Sequence, residues 1–299
     1  MRKLIVFALV GFGAQLIDGS LGMGYGVTSS TLLVLAGLTP AAASASVHFS
    51  ELGTNLASGF SHWKLKNVDW RVVARIAGPG AVGAFLGATV LSSLSTEAAA
   101  PVMAAILAAL GLYIIIRFVL GVRPALKKAL TMKFLAPLGL FAGFIDATGG
   151  GGWGPVATPA LLVDGRMPPR KVIGSIDTSE FAVSAAASLG CLFGLGAAGI
   201  NWGFALALRA GGLVAAPLAA YLVRVAPAHL LGVAVGGLIL LTNSRTLLKS
   251  FEVADGTRWV VYGAVLVLTV VGLSVAVQRH RRNAASTAAG ERTPESLNV

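Results

Sequence analysis

Residues 144–159 read FIDATGGGGWGPVATP and sit inside a hydrophobic run. Four successive glycines, Gly149 to Gly152, are followed by Trp153, Gly154 and Pro155. In a helix interior glycine costs about 1 kcal/mol relative to alanine, and proline about 3 kcal/mol. A continuous helix is therefore expected to fail here. The same interruption stands near the start of the chain, where residues 11–26 read GFGAQLIDGSLGMGYG.

Laying 4–120 over 133–249 aligns the two interruptions. Asp18 falls on Asp146, Gly22 on Gly150, Gly24 on Gly152, Tyr25 on Trp153 and Gly26 on Gly154. Further on, Ser50-Glu51 matches Ser179-Glu180 after one inserted residue, and Asp69-Trp70 matches Asn201-Trp202. Matches in one order at nearly constant offset mark an internal repeat, a signature of secondary transporters.

Composition supports a bilayer setting. Of 299 residues 56% are hydrophobic and 12% charged, with mean hydropathy +0.81. Soluble domains carry roughly 25% charged residues. The charges cluster at 62–75, 117–133, 166–171, 245–258 and 279–292, separated by apolar stretches. A membrane crossing needs about 20 residues of helix. The chain is therefore read as an all-α polytopic integral membrane protein. The net charge of +11 would suggest nucleic acid in a soluble protein; here it is assigned to cytoplasmic loops, and no nucleic-acid partner is expected. The single Cys191 in an apolar run supports neither a disulfide framework nor a thiolate metal site. No metal or other cofactor is expected. Arg2-Lys3 before an apolar run resembles a signal peptide, but the mid-chain recurrence makes segment 4–37 structural.

Spans are predicted at 41–62, 71–92 and 97–119 in the first half, and at 171–198, 203–223 and 227–248 in the second. Another, at 259–278, follows. The corresponding division is a first repeat (1–120), a basic cytoplasmic connector (121–132), a second repeat (133–250), an extra helix (251–282) and a polar, disordered tail (283–299). Segments 4–37 and 133–165 would each reach about 50 Å as one helix, beyond a 30 Å hydrocarbon core. Split by glycine, each gives two arms too short to span comfortably, so a re-entrant hairpin is expected.

Loop charge favours this topology. With Arg117, Arg123, Lys127, Lys128 and Lys133 inside, a returning second hairpin also places Arg166, Arg170, Lys171, Arg224 and the tail arginines inside. Counting backwards puts Lys64, Lys66 and Arg71 inside and the N-terminus outside. Arg245, Lys249 and Arg258 fall outside, against the rule. A hairpin plus three crossings per half is an odd number, so the halves are expected to be inverted repeats in the cell (inner) membrane. The bilayer is then a partner, and a homodimer is compatible with the pattern.

Non-helical backbone at membrane depth survives only where protein or water satisfies it. Half-helix N-termini offer free N–H donors and partial positive charge to an anion. Gly22, Gly24, Gly26, Gly150, Gly151 and Gly152 would let a ligand approach the backbone closely. Close helix packing by small residues is the alternative. Trp63, Trp70, Trp202 and Trp259 fall at span ends, as in an aromatic belt. Trp153 and Tyr25 instead stand at the hairpin tips, where they line the pathway or pack.

Ionisable groups within spans are functional candidates. Glu51 and Glu180 have His48 and Asp177 three residues earlier and Asn55 and Ser184 one turn later. With Ser50 and Ser179 they form a polar stripe suited to a solvated cavity. The glutamates are expected to support the hairpins or to couple transport to protons. Arg209, about a third of the way along its span, is a candidate anion partner; Arg75 is expected to snorkel. Asp18 and Asp146 are expected to cap the second arm of each hairpin.

AQLIDGSLGMGYG (14–26), HFSELGTNLASG (48–59), GFIDATGGGGWGPVATP (143–159) and GSIDTSE (174–180) resemble the sulfite exporter TauE/SafE family of membrane permeases. The similarity extends over the chain to about residue 278. It implies a secondary transporter moving small sulfur-containing anions outward, such as sulfite or organosulfonates like sulfoacetate. Two rival classes remain to be tested. An intramembrane enzyme would draw on His48, Ser50 and Glu51, but no nucleophile elbow or paired metal-ligand motif occurs. A non-transporting partner subunit would not need duplicated polar breaks.

Overall fold

Helices start where the sequence supplies caps. Thr39 Oγ1 accepts the Ala42 N–H at 3.3 Å, with Pro40 in the first turn, where its missing N–H costs nothing. Asp69 Oδ1 accepts Arg71 N–H at 3.0 Å, and its repeat counterpart Asn201 accepts Phe204 N–H at 3.0 Å. The computed structural model describes residues 2–120, 130–164, 167–222 and 228–290. Among them are eleven α-helices, a short 3₁₀ turn at Ala197–Gly199, and no strand.

The first half contains α1 (Arg2–Leu21), α2 (Tyr25–Leu35), α3 (Pro40–Lys64), α4 (Trp70–Ser93) and α5 (Thr96–Leu120). The second contains α6 (Met132–Gly149), α7 (Trp153–Asp164), α8 (Pro169–Leu195), α9 (Trp202–Leu222) and α10 (Ala228–Ser250). Finally, α11 (Asp255–Gly290) continues beyond 282, where its span was expected to end. Arg123, Lys127 and Lys128 of the connector, together with Arg166, Arg224 and positions 291–299, lie outside the described residues.

One expectation changes. The arms of the broken segments are unequal, and the first arms are not short. Helix α1 has 20 residues and is apolar enough to cross a bilayer; α6 has 18. Gly11, Gly13 and Gly19 do not stop α1, because Gly11 and Gly19 face α9 at Leu208 and Ala219, where a bare Cα permits close packing. The break waits for Gly22.

By length and composition, six helices among the described residues can cross a membrane: α1, α4, α5, α8, α9 and α11. Helix α3 is as long but loaded with polar groups, including Ser44, His48, Ser50, Glu51, Asn55 and His62, all buried. The usual arrangement is reversed: apolar side chains such as Leu9, Phe193 and Val267 face outward, as lipid requires. Trp63, Trp70, Trp202 and Trp259 stand 44–74% exposed at helix ends, whereas Trp153 is 0% exposed.

Packing runs crosswise between the halves. Helix α1 lies along α9, and α6 along α4. Glycines bring the backbones together: Gly211 against Ala8, and Gly143 against Gly80. Helices α3 and α8 pack antiparallel, with Asn55 on Ser184 and Gly59 on Thr178. Helices α5 and α10 do the same, with Gly111 on Leu240 and Ile115 on Gly236.

Candidate functional site

Three residues join α1 to α2, and three join α6 to α7. Gly22 and Gly24 have φ of 69° and 124°; Gly150 and Gly151 have 73° and 148°. These are conformations that glycine adopts without a Cβ penalty. Gly152 lacks room rather than an allowed φ for a side chain: a Cβ there would lie 2.9 Å from the Asp146 nitrogen.

A carboxylate steadies each break from the preceding helix. Asp146 Oδ1 accepts the N–H groups of Gly152 at 2.7 Å and Trp153 at 3.0 Å. Asp18 Oδ1 accepts one, from Tyr25, at 3.3 Å. These donors belong to helix starts, where no intrahelical partner exists.

The two breaks touch. Gly26 packs on Gly151, and Gly154 packs on Gly22 and Met23. Ser30 donates its hydroxyl to the Gly150 carbonyl, and Thr158 donates to the Gly22 carbonyl at 2.5 Å. Ser30 and Thr158 are repeat counterparts at the same offset as Asp18 and Asp146, so that offset was the available signal for both. Ser44 adds a bond from α3 to the Ala147 carbonyl, 3.0 Å.

Around this contact lies a buried polar cluster. His48 Nδ1 is 2.9 Å from Glu51 Oε2 and 3.8 Å from Asp146 Oδ2. Glu51 Oε2 also accepts the Ser184 hydroxyl at 3.0 Å, and Ser184 accepts the Asn55 amide at 3.2 Å. Asp177, expected beside Glu180, does lie there, but His62 and Asp18 also face it. His62 Nε2 is 3.9 Å from Asp177 Oδ2, and one oxygen from each of Asp18, Asp177 and Glu180 lies within 4.8 Å of the others. His62 was missed because it stands near the basic end of α3, where it looks like part of a loop charge cluster.

The aromatic pair at the tips is packed. Tyr25 hydrogen-bonds the Ser50 hydroxyl and rests near Gly212; Trp153 rests on Gly80 and donates its indole N–H to the Ile176 carbonyl at 3.1 Å. Ser179 donates to that same carbonyl at 2.7 Å. Arg209 packs over Gly53 and donates to the Phe49 carbonyl, attaching α9 to α3. An open groove of about 380 Å³ between α3, α4 and α8 has Asn55, Thr178 and Ser179 in otherwise apolar walls.

Outward apolar faces enclosing a polar interior define a multi-pass membrane protein. The chain belongs to the sulfite exporter TauE/SafE family, whose model matches residues 7–246. It is 51% identical over 268 residues to the probable membrane transporter protein YtnM of Bacillus subtilis (strain 168), covering 89% of each chain. None of the solved structures matches it. Family and relative are transporters, so the chain is a membrane transporter and not an enzyme. The hydrolytic set considered from the sequence is also engaged otherwise: Ser50 bonds Tyr25, and His48 bonds Glu51.

Proposed function

We propose that the protein is a secondary transporter exporting small sulfur-containing anions, sulfite or organosulfonates such as sulfoacetate, coupled to protons. Transport would proceed by alternating access around the meeting point of the two glycine breaks. The carrying observation is the reciprocal contact at that point, Ser30 to Gly150 and Thr158 to Gly22.

Helix direction supports inverted repeats. Counterparts α3 and α8 meet antiparallel, as do α5 and α10. A two-fold axis relating such pairs is perpendicular to the helices and therefore lies in the membrane plane. Helix α2 returns alongside α3: its first residue, Tyr25, bonds Ser50, while Leu33 near its end clusters with Ala43. The loop charges support an N-terminus outside the inner membrane and a cytoplasmic C-terminus.

The anion would be held by first-turn N–H groups that the aspartates leave over, those of Gly26 and Val27 in α2 and Gly154 in α7. Glycine at 26 and 154 lets the two breaks lie backbone to backbone, so an anion would reach these donors as the breaks part. Glu51, paired with His48 and Ser184, is the proton-coupling candidate at the first half's side of the cluster; Glu180 is its counterpart.

Proteoliposomes containing only this protein should move sulfite or sulfoacetate down an imposed pH gradient. Glu51→Gln and Glu180→Gln should flatten the pH dependence of that flux. No flux of any sulfur oxyanion or sulfonate, under a proton gradient or a voltage, would overturn the reading. An unchanged pH profile in both variants would remove the glutamates from coupling.

A further inference from the structure

Glu180 enters the reading above as a coupling candidate and Asp18 as a cap, but the cluster that the two form with Asp177 has a chemistry of its own. Its members come from α1 and α8, in opposite halves of the chain, and each is at least 95% buried. One oxygen from each lies within 4.8 Å of the other two. Three ionised carboxylates at that spacing, away from water, repel strongly unless a cation or shared protons intervene.

A second observation concerns Ser58, one turn before His62 on α3. Its side chain is 0% exposed and its hydroxyl has no hydrogen-bond partner within bonding geometry, yet it faces the Asp177 carboxylate. Asp18 Oδ2 is likewise buried without a partner, because only Oδ1 serves the Tyr25 N–H. Buried polar atoms are nearly always satisfied. Ser58 Oγ and Asp18 Oδ2 are oxygens, the ligand type that suits hard cations rather than soft ones; the unpaired His62 Nε2 stands beside them, 3.9 Å from Asp177 Oδ2.

We infer that Asp18, Asp177, Glu180 and Ser58 form a binding site for a monovalent hard cation, sodium, between α1, α3 and α8. An ion that comes and goes as the first break moves must not be held too tightly, which favours a monovalent ion over a divalent one. Glu180, the most exposed of the three at 5%, adjoins Ser179, which lines the open groove. The site touches the first break directly, since Asp18 holds it through Oδ1 and the ion through Oδ2. Cation occupancy would thus bias the position of the Gly22–Gly24 linker, and its charge would offset the carboxylates that an incoming anion meets.

The inference stands apart from the anion reading, because it is tested with no anion present. Purified full-length protein in nanodiscs should bind radioactive sodium saturably. Asp18→Asn and Glu180→Gln should each weaken binding at least tenfold, and Ser58→Ala by a smaller factor. Asp255→Asn, an exposed change at the start of α11, should leave binding intact. Melting temperature with and without sodium separates lost binding from lost folding: a folded Asp18→Asn protein should no longer be stabilised by sodium. Absence of saturable sodium binding in the unmodified protein would overturn the site and assign the cluster to shared protons. Undiminished binding in both carboxylate variants would place sodium elsewhere. Both outcomes are read from sodium binding alone, so a failed flux assay would leave a sodium result standing.

Discussion

The second break is held harder than the first. Asp146 takes two N–H groups, at 2.7 and 3.0 Å, while Asp18 takes one at 3.3 Å. Trp153 anchors to a backbone carbonyl, whereas its counterpart Tyr25 anchors only to the Ser50 side chain. A Cβ at Gly151 would run into the backbone of Gly26 and Val27; one at Gly24 would meet only the Cγ2 of Ile17, 3.1 Å away. Starting from one duplicated motif, one tip has become a fixed platform and the other a lightly held element beside a carboxylate cluster. On these contacts the first break is the less firmly held of the two, and movement during transport is expected there.

Substituting the glycines tests this most severely. Gly151→Ala combines an unfavourable φ of 148° with overlap against rigid backbone, a cost of about 3–5 kcal/mol when strain and overpacking add. Little monodisperse protein should survive detergent extraction. Gly24→Ala carries the strain of its φ of 124° and a 3.1 Å approach to the Ile17 side chain, which can shift, about 1–3 kcal/mol, and should insert and remain folded with slowed transport. Size-exclusion profiles of the two variants decide the matter: equal damage from both would abolish the asymmetry.

The capping carboxylates come next in size. Asp146→Asn keeps an acceptor but loses the charge behind two hydrogen bonds, a cost of about 1–2 kcal/mol. Asp18→Asn weakens one long bond while relieving repulsion from Asp177 and Glu180. Its melting temperature in sodium-free buffer should stay level or rise. A fall as large as that for Asp146→Asn would mean that both breaks rest equally on their caps.

Parts of this arrangement are legible in the sequence and others are not, for physical reasons. The breaks are visible because glycine and proline oppose a helix wherever they occur, and the repeat is visible because Asp, Gly and aromatic residues recur at fixed offset. The matched Asp69 and Asn201 mark helix starts for the same local reason. Arm length misleads, because Gly11 and Gly19 look like breakers until α9 is seen to use them for packing. The carboxylate cluster is invisible in one dimension: nothing in the pattern around Asp18 says that α1 faces Asp177 and Glu180 on α8. The crosswise bonds of Ser30 and Thr158 are hidden likewise, since hydropathy sets how long helices are but not which of them meet.

Those crosswise bonds give the smallest and most discriminating test. Ser30→Ala removes a donor to Gly150, in the fixed break; Thr158→Val removes one to Gly22, in the lightly held break. Each should cost about 0.5–1.5 kcal/mol of stability. Transport should separate them, because loosening a moving part changes its rate whereas loosening its support changes mainly how long the protein lasts. Thr158→Val should therefore alter transport turnover, and Ser30→Ala should lower the melting temperature with turnover little changed. The double variant adds a coupling measurement. Gly26 and Gly151 are in contact, so if the two breaks shift as one body the stability effects will depart from additivity by more than about 0.5 kcal/mol. Additive stabilities with split transport effects are expected when the first break moves against a stationary second one. Strong coupling with matched transport effects would instead make the pair a single rocking unit.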